Sequence, residues 1–219
     1  MFLIKTNKTN KTNKTENVNN LLHPMLNKWL IQHNNFRGNI ALDYRNRVRI
    51  HNNIIPFLLN KKIIFKYLDT FQQNNSYLSN KIRKYVFLNI DNNVMCIGGE
   101  SYIYGIECDN FIYYSNCKKL CFESDYNSNS NSIYIKDYNK LDKKQFKIIY
   151  PTVIINLSKL NKELLLLLNN LEIHKIIIIN CHHKDFWKKI KYLDKFKLIN
   201  REKFICKEYF ITVNIFYKK

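Results

Sequence analysis

A chain of 219 residues, 46% of them hydrophobic, has enough apolar material for one cored domain with a small appendage. Its 36 Lys and Arg outnumber 17 Asp and Glu, and the resulting charge of +19 points to a polyanionic partner, nucleic acid ahead of an anionic membrane surface. No run approaches the ~18 apolar residues of a membrane span, and the first residues lack the apolar core of a secretory signal.

Among the six cysteines, Cys117 and Cys121 are four apart with no Cys/His pair downstream to complete a zinc site. The expectation is therefore a cytoplasmic protein with reduced thiols, no metal and no membrane association. Heavy use of Asn, Ile, Lys and Tyr beside only 4 Gly and 3 Pro suits an AT-rich genome, viral or reduced. Part of the basic charge then reflects codon usage, and the compartment of a viral protein would be the host cytoplasm.

Residues 1–20 are dominated by a Lys-Thr-Asn repeat with almost nothing to bury, and are expected to be a disordered tail. Residues 21–68 read as a reduced N-terminal α+β region. Leu22, Met25, Leu26, Trp29 and Leu30 have helical spacing over 21–32, with Pro24 tolerated near the start. Residues 40–50 read as one strand, with Tyr44, Val48 and Ile50 on one face and Arg45, Arg47 and Arg49 on the other. Three arginines on one face suit phosphate or base contacts in RNA; a solvated edge strand accounts for them equally well. Residues 54–59 and 62–68 read as a further strand pair.

The third segment, 69–219, becomes regular from Val94. Strands are predicted at 94–97, 119–123, 132–135, 147–156 and 175–180, helices at 162–170 and 185–193, and a closing antiparallel pair at 197–206 and 209–217. Strands alternating with helices and ending in a hairpin predict an α/β fold with a doubly wound, Rossmann-like sheet. A terminal β-hairpin on such a sheet is similar to the architecture of class I methyltransferases.

Three features stand out as chemistry. Four isoleucines in the run Lys-Ile-Ile-Ile-Ile-Asn-Cys-His-His, from Lys175 to His183, read as a buried parallel strand, and Cys181 sits at its carboxyl end, where open α/β sheets bind ligands. A thiol there is either a nucleophile or a buried structural Cys. Gly98-Gly99 follows the first regular strand and allows close backbone approach by a ligand. Glu123, read as the end of the next strand, is spaced to accept the ribose hydroxyls of a nucleotide-like cofactor.

Four segments, in order, resemble the RNA uracil-C5 methyltransferases, and most of all the tRNA (uracil-5-)-methyltransferases. Asp43 to Ile50 (Asp-Tyr-Arg-Asn-Arg-Val-Arg-Ile) resembles the family's Tyr-Arg-x-Arg/Lys strand. Lys62 to Asn75, ending Thr-Phe-Gln-Gln-Asn-Asn, resembles its Ser-Phe-x-Gln-x-Asn stretch. Ile-Ile-Asn-Cys-His-His resembles the segment Tyr-x-Ser-Cys-Asn-Pro. Cys206 to Val213 (Cys-Lys-Glu-Tyr-Phe-Ile-Thr-Val) resembles His-x-Glu and its closing strand.

The resemblance covers about residues 40–219. It implies S-adenosylmethionine as cofactor, held by Gln73, Gly98, Gly99, Glu123 and Asn156. It implies Cys181 as the nucleophile that adds to uracil C6, Glu208 as the base that removes the C5 proton, and Arg45, Arg47 and Arg49 as RNA contacts, with tRNA as the substrate.

The chain departs from the family at several points. Asn156-Leu-Ser-Lys stands where the family has Asp-Pro-Pro-Arg, and Glu100 where it has a second loop glycine. His182-His183 replaces Asn-Pro, Cys206 replaces His, and the segment between Tyr44 and Gln73 is shortened. These leave open a second expectation: a catalytically inactive methyltransferase-like protein that binds RNA or a partner subunit.

Overall fold

The computed structural model describes residues 40–42, 48–50, 54–59, 62–67, 70, 76–128, 132–140, 143–146, 150–181, 183–206 and 209–219. The chain divides into two compact units, Met1–Thr70 and Phe71–Lys219. The expected tail and the helix at 21–32 lie outside the described residues, as do Arg45, Arg47, Gln73 and Glu208.

In the first unit, β1 (Ile40–Leu42) pairs antiparallel with β2 (Val48–Ile50), Ile40 opposite Ile50. The single strand expected at 40–50 is thus two. Chain that pairs with itself antiparallel must reverse direction, and the intervening residues include Asp43 and Asn46, which disfavour strands. Arg49 lies in β2, opposite Ala41. The second pair is as read: β3 (Ile54–Leu59) runs antiparallel to β4 (Lys62–Tyr67), with Leu59 opposite Lys62.

The second unit begins with helix α1 (Ser76–Phe87), which the sequence reading passed over. Leu78, Ile82 and Val86, one helical turn apart, form its buried stripe. A seven-stranded sheet follows, built from β5 (Asn93–Ile97), β6 (Asn110–Ser115), β7 (Ser132–Tyr134), β8 (Thr152–Asn156), β9 (Lys175–Asn180), β10 (Phe196–Cys206) and β11 (Tyr209–Lys218). Their order across the sheet is β10-β11-β9-β8-β5-β6-β7. The first five are parallel; β11 runs antiparallel to both β9 and β10. This is the doubly wound sheet with a terminal hairpin.

The connecting helices are α2 (Tyr102–Gly105), α3 (Lys118–Ser128), α4 (Lys162–Asn169) and α5 (His183–Ile190). Leucines 164, 165 and 168 of α4 and Phe186 of α5 join Met95, Ile97, Val153, Ile155, Ile176, Ile178 and Phe216 in one core on one sheet face. Asn161 caps α4, its side chain accepting from the Leu164 N–H at 3.0 Å. Every residue of β9 is buried, as a central parallel strand requires.

Two strand expectations change. Residues 119–123 belong to helix α3, not to a strand: Leu120, Cys121 and Ser124 are buried while Phe122 is exposed, a helical rather than alternating pattern. The missing second strand is β6, where Phe-Ile-Tyr-Tyr supplies the short buried run. Of the strand expected at 147–156, residues 147–149 lie outside the described residues, and β8 begins at Thr152, after Pro151, which cannot donate to a ladder.

At the amino end of the sheet, Lys175 Nζ reaches Asp91 Oδ1 at 3.0 Å and the Asn89 carbonyl at 3.1 Å, and Thr152 Oγ1 also donates to Asp91. This ties the starts of β8 and β9 to the loop before β5, opposite the end that carries the candidate chemistry.

Candidate active site

Strand β5 is flanked by β6 on one side and β8 on the other, so the chain winds outward from it in both directions. Loops leaving such neighbours diverge and open a crevice beyond the carboxyl ends of the strands. The first of these loops is the glycine turn after β5.

Gly98 and Gly99 have φ of 71° and 47°, a region that residues with a Cβ rarely adopt. They also run flush against the end of β8. A Cβ on Gly98 would fall 2.1 Å from Leu157 Cδ2, and one on Gly99 would fall 2.6 Å from the Asn156 carbonyl oxygen. The turn is held on its inner side. Gly98 N–H donates to the Tyr114 carbonyl (2.8 Å), the Gly98 carbonyl accepts from Ser101 Oγ (2.7 Å), and the Gly99 carbonyl accepts from the Tyr113 hydroxyl (2.5 Å). Burial pushes the Tyr113 hydroxyl well above its ordinary pKa, so it remains a donor.

Glu100, next in the loop, is turned inward. Its carboxylate lies 3.5 Å from the Arg83 guanidinium of α1, and both side chains are nearly fully buried. The Glu100 carboxylate is therefore directed at α1 rather than presented to solvent.

Glu123 is not at a strand end. It lies inside α3, buried, and accepts a 2.8 Å hydrogen bond from the Tyr102 hydroxyl of α2. Tyr102 packs edge-on against Tyr113, so Glu123 belongs to the packing behind the glycine turn. The strand next to β5 on this side is β6, and it ends in Ser115 followed by the exposed amide of Asn116. The turn there is fixed by Asn116 N–H to the Tyr138 hydroxyl (3.2 Å) and Cys117 N–H to Ser115 Oγ (3.1 Å). Sequence reading missed Asn116 because it missed β6. The signal was Phe-Ile-Tyr-Tyr followed at once by Ser-Asn. Asp137, half-buried after β7, accepts from the Asn139 N–H and side-chain amide, both at 2.9 Å.

On the other side of β5, half-buried Asn156 ends β8 opposite Ile179 of β9. Cys181 stands two residues further along that neighbouring chain, just past Asn180. Among the five cysteines whose burial is described it alone is exposed. Burial pushes three thiols up: Cys96 well above the usual thiol range, Cys108 to about 12 and Cys121 to about 11. Those thiols are held protonated and are poor nucleophiles.

Thr212 of β11 lies opposite Asn180. The paired residues Cys206 and Tyr209, where the chain passes from β10 to β11, are therefore at the same end of the sheet as Cys181. The geometry thus gathers Gly98, Gly99, Asn156 and Cys181 along one carboxyl edge. It removes Glu123 from that edge and adds Asn116 to it. Arg49 lies in the other unit.

No family model and no curated protein sequence matches the chain. Solved structures do. The tRNA (uracil-54, C5)-methyltransferase of Pyrococcus abyssi, in complex with S-adenosyl-L-homocysteine, superposes with a TM-score of 0.62 at 17% identity, over 78% of this chain and 45% of that one. The tRNA m1G37 methyltransferase of M. jannaschii gives 0.54 at 14% identity, over 80% and 61%. A transferase of Pyrococcus horikoshii gives 0.53 at 9%, over 77% and 74%. The chain spans about half the length of the first enzyme and under two thirds of the second. At these identities the likeness is one of fold, and the fold is the Rossmann-like sheet of the class I methyltransferases.

Proposed function

We propose that this protein transfers a methyl group from S-adenosylmethionine to RNA, that the target atom is C5 of a uridine, most simply in tRNA, and that Cys181 is the nucleophile. The observation that carries this reading is the exposed Cys181 thiol at the carboxyl end of β9, one strand from Asn156 and two strands from the glycine turn. Further support comes from the Pyrococcus abyssi likeness and from the ordered resemblance of four segments.

The residues present fit the cofactor. The glycine turn has positive φ and lies flush against the end of β8, and Asn116, Asp137 and Asn156 lie at the same edge. Asn116 would hold the ribose hydroxyls, with an amide in place of an acid, while Gly98, Gly99, Asn156 and Gln73 would hold the methionine end. Bound there, S-adenosylmethionine supplies an electrophilic methyl on a sulfonium.

The chain supplies the rest. Uracil C5 is a weak nucleophile. The Cys181 thiolate adds to C6, and the C5–C6 π pair becomes available at C5. S-adenosylmethionine, held by Gly98, Gly99, Asn156 and Gln73, would supply its methyl group to that carbon and be left as the neutral thioether. The C5 proton must then leave; Glu208 takes it, the C6–S bond breaks with its pair to Cys181, and the double bond re-forms. The uridine must be unstacked to be reached.

The reaction releases the C5 hydrogen, so RNA carrying tritium at uridine C5 reports it directly. Wild-type protein with S-adenosylmethionine should release tritium to water and Cys181→Ala should lower the rate by about 10⁴-fold or more. Equal release from both proteins would overturn the role of Cys181. A second reading, a non-catalytic RNA- or partner-binding relative, is favoured by the amides at both Asn116 and Asn156. It predicts no tritium release and no binding of S-adenosylhomocysteine by the folded protein.

A further inference from the structure

Strand β10 forms one edge of the sheet, and its two faces differ sharply in charge. The register with β11 sets Arg201 opposite Asn214, Lys203 opposite Thr212 and Ile205 opposite Phe210. Asn214 in turn lies opposite Ile178, whose side chain is in the core under α4 and α5. Arg201, Lys203 and Ile205 therefore share the α5 face. Glu202 and Phe204 take the other face, where Phe204 meets Tyr85 of α1 edge-on at 5.7 Å.

On the α5 face each cation is seated on a ring. The Arg201 guanidinium lies 5.1 Å from the centre of Trp187, which is 46% exposed on α5. Lys203 Nζ lies 3.9 Å from the centre of Phe210. Ile205, 67% exposed, continues the strip towards the end of the hairpin where β10 passes into β11. Lys188, exposed on α5, adds charge beside Trp187. The strip is not remote: Lys203, Thr212 and Asn180 form one row across three strands, and Cys181 follows Asn180.

Alternating cations and rings, Trp187 exposed and Phe210 half-buried, with the acid of the strand turned to the opposite face, match one ligand chemistry. A single-stranded polynucleotide offers phosphates for Arg201, Lys203 and Lys188, and flat bases for the Trp187–Arg201 stack, Phe210 and Ile205. We propose that the α5 face of the β10–β11 hairpin, built around Arg201, Trp187, Lys203 and Phe210, is a binding platform for unpaired RNA that delivers the nucleotide beside it to Cys181. This deepens the reading above and rests on it.

The test is fluorescence anisotropy of the full chain with a labelled uridine-containing single-stranded RNA and with a tRNA transcript, over a range of salt. The proteins compared are wild type, Arg201→Ala/Lys203→Ala, Trp187→Ala and, as a control on the opposite face, Glu202→Gln. The double variant should bind at least tenfold more weakly. Its log–log salt slope should be shallower by about 1.4, since each phosphate contact on a single strand contributes ~0.7. Trp187→Ala should weaken binding with the slope unchanged, and Glu202→Gln should match wild type.

Wild-type RNA binding that neither variant alters would overturn the platform and leave the methyltransferase reading intact. No RNA binding by wild type would sink both. If the variants dissolve a self-association seen by sedimentation while RNA affinity stays constant, the strip is a protein contact and the inference fails. Thermal midpoints within a few degrees of wild type establish that each variant is folded.

Discussion

Glu123 and Asn116 show what a single misplaced residue does to a functional reading. The chemistry expected of Glu123 depended on its being the last residue of a strand. In α3 its carboxylate instead accepts from Tyr102, behind the glycine turn. Removing a buried acceptor leaves its donor unpaired, so Glu123→Ala should destabilise the protein by about 1–3 kcal/mol. At temperatures where the variant is folded, its affinity for S-adenosylhomocysteine should stay within about twofold of wild type. Calorimetric titration beside a denaturation curve measures both. A large loss of affinity at unchanged stability would return Glu123 to the cofactor.

The thiols divide by the same local logic. Burial holds Cys96, Cys108 and Cys121 protonated, whereas Cys181 is exposed at a strand end. Its position was legible in the sequence because four consecutive isoleucines can hardly be anything but a buried strand, so the residue after Asn180 had to be at its end.

At the scale of elements, legibility followed burial. β9, α4 and the β10–β11 hairpin emerge from periodicity alone, since their apolar residues repeat with one period over six or more positions. β6 and α3 were exchanged because Leu-Cys-Phe in α3 looks as apolar over three residues as Phe-Ile-Tyr-Tyr does in β6. Only the flanking polar positions distinguish a helix stripe from a buried run. α1 was overlooked although Leu78, Ile82 and Val86 keep helical spacing, because Ser, Asn and Lys between them dilute the pattern.

The sheet also carries an element-level clamp at its amino end. Asp91 is pushed up by partial burial, but more than offset by hydrogen bonds from Thr152 and Lys175 and by the Lys175 charge, so its pKa falls below the usual 3.8. A carboxyl group lowered by folding stabilises the fold above its unfolded pKa, and that contribution is lost as pH falls through the lowered folded value. Wild type should therefore lose thermal stability between about pH 4 and the acid limit by more than Asp91→Asn does, as followed by the unfolding midpoint against pH. Parallel curves for the two proteins would remove Asp91 from the account.

For the whole molecule, charge and fold act together. An excess of 19 positive charges attracts any polyanion, yet attraction alone places nothing in a site. The doubly wound sheet concentrates the glycine turn, Asn116, Asn156 and Cys181 on one edge, and the terminal hairpin sets a cation–aromatic strip beside it. The fold class was legible from alternation of strands and helices. The strip was not, because Trp187 and Arg201 are fourteen positions apart and meet only when α5 packs on the sheet.

The most direct test of the central claim is to trap the nucleophile. RNA containing 5-fluorouridine lets Cys181 add to C6 and lets C5 accept the methyl group, but fluorine cannot leave as a proton does, so the adduct persists. With S-adenosylmethionine present, wild-type protein should form an RNA-linked species that survives denaturation and maps by mass spectrometry to the peptide holding Cys181, and Cys181→Ala should form none. A folded wild-type protein that methylates uridine C5 without such an adduct, or an adduct that persists in Cys181→Ala, would contradict the account.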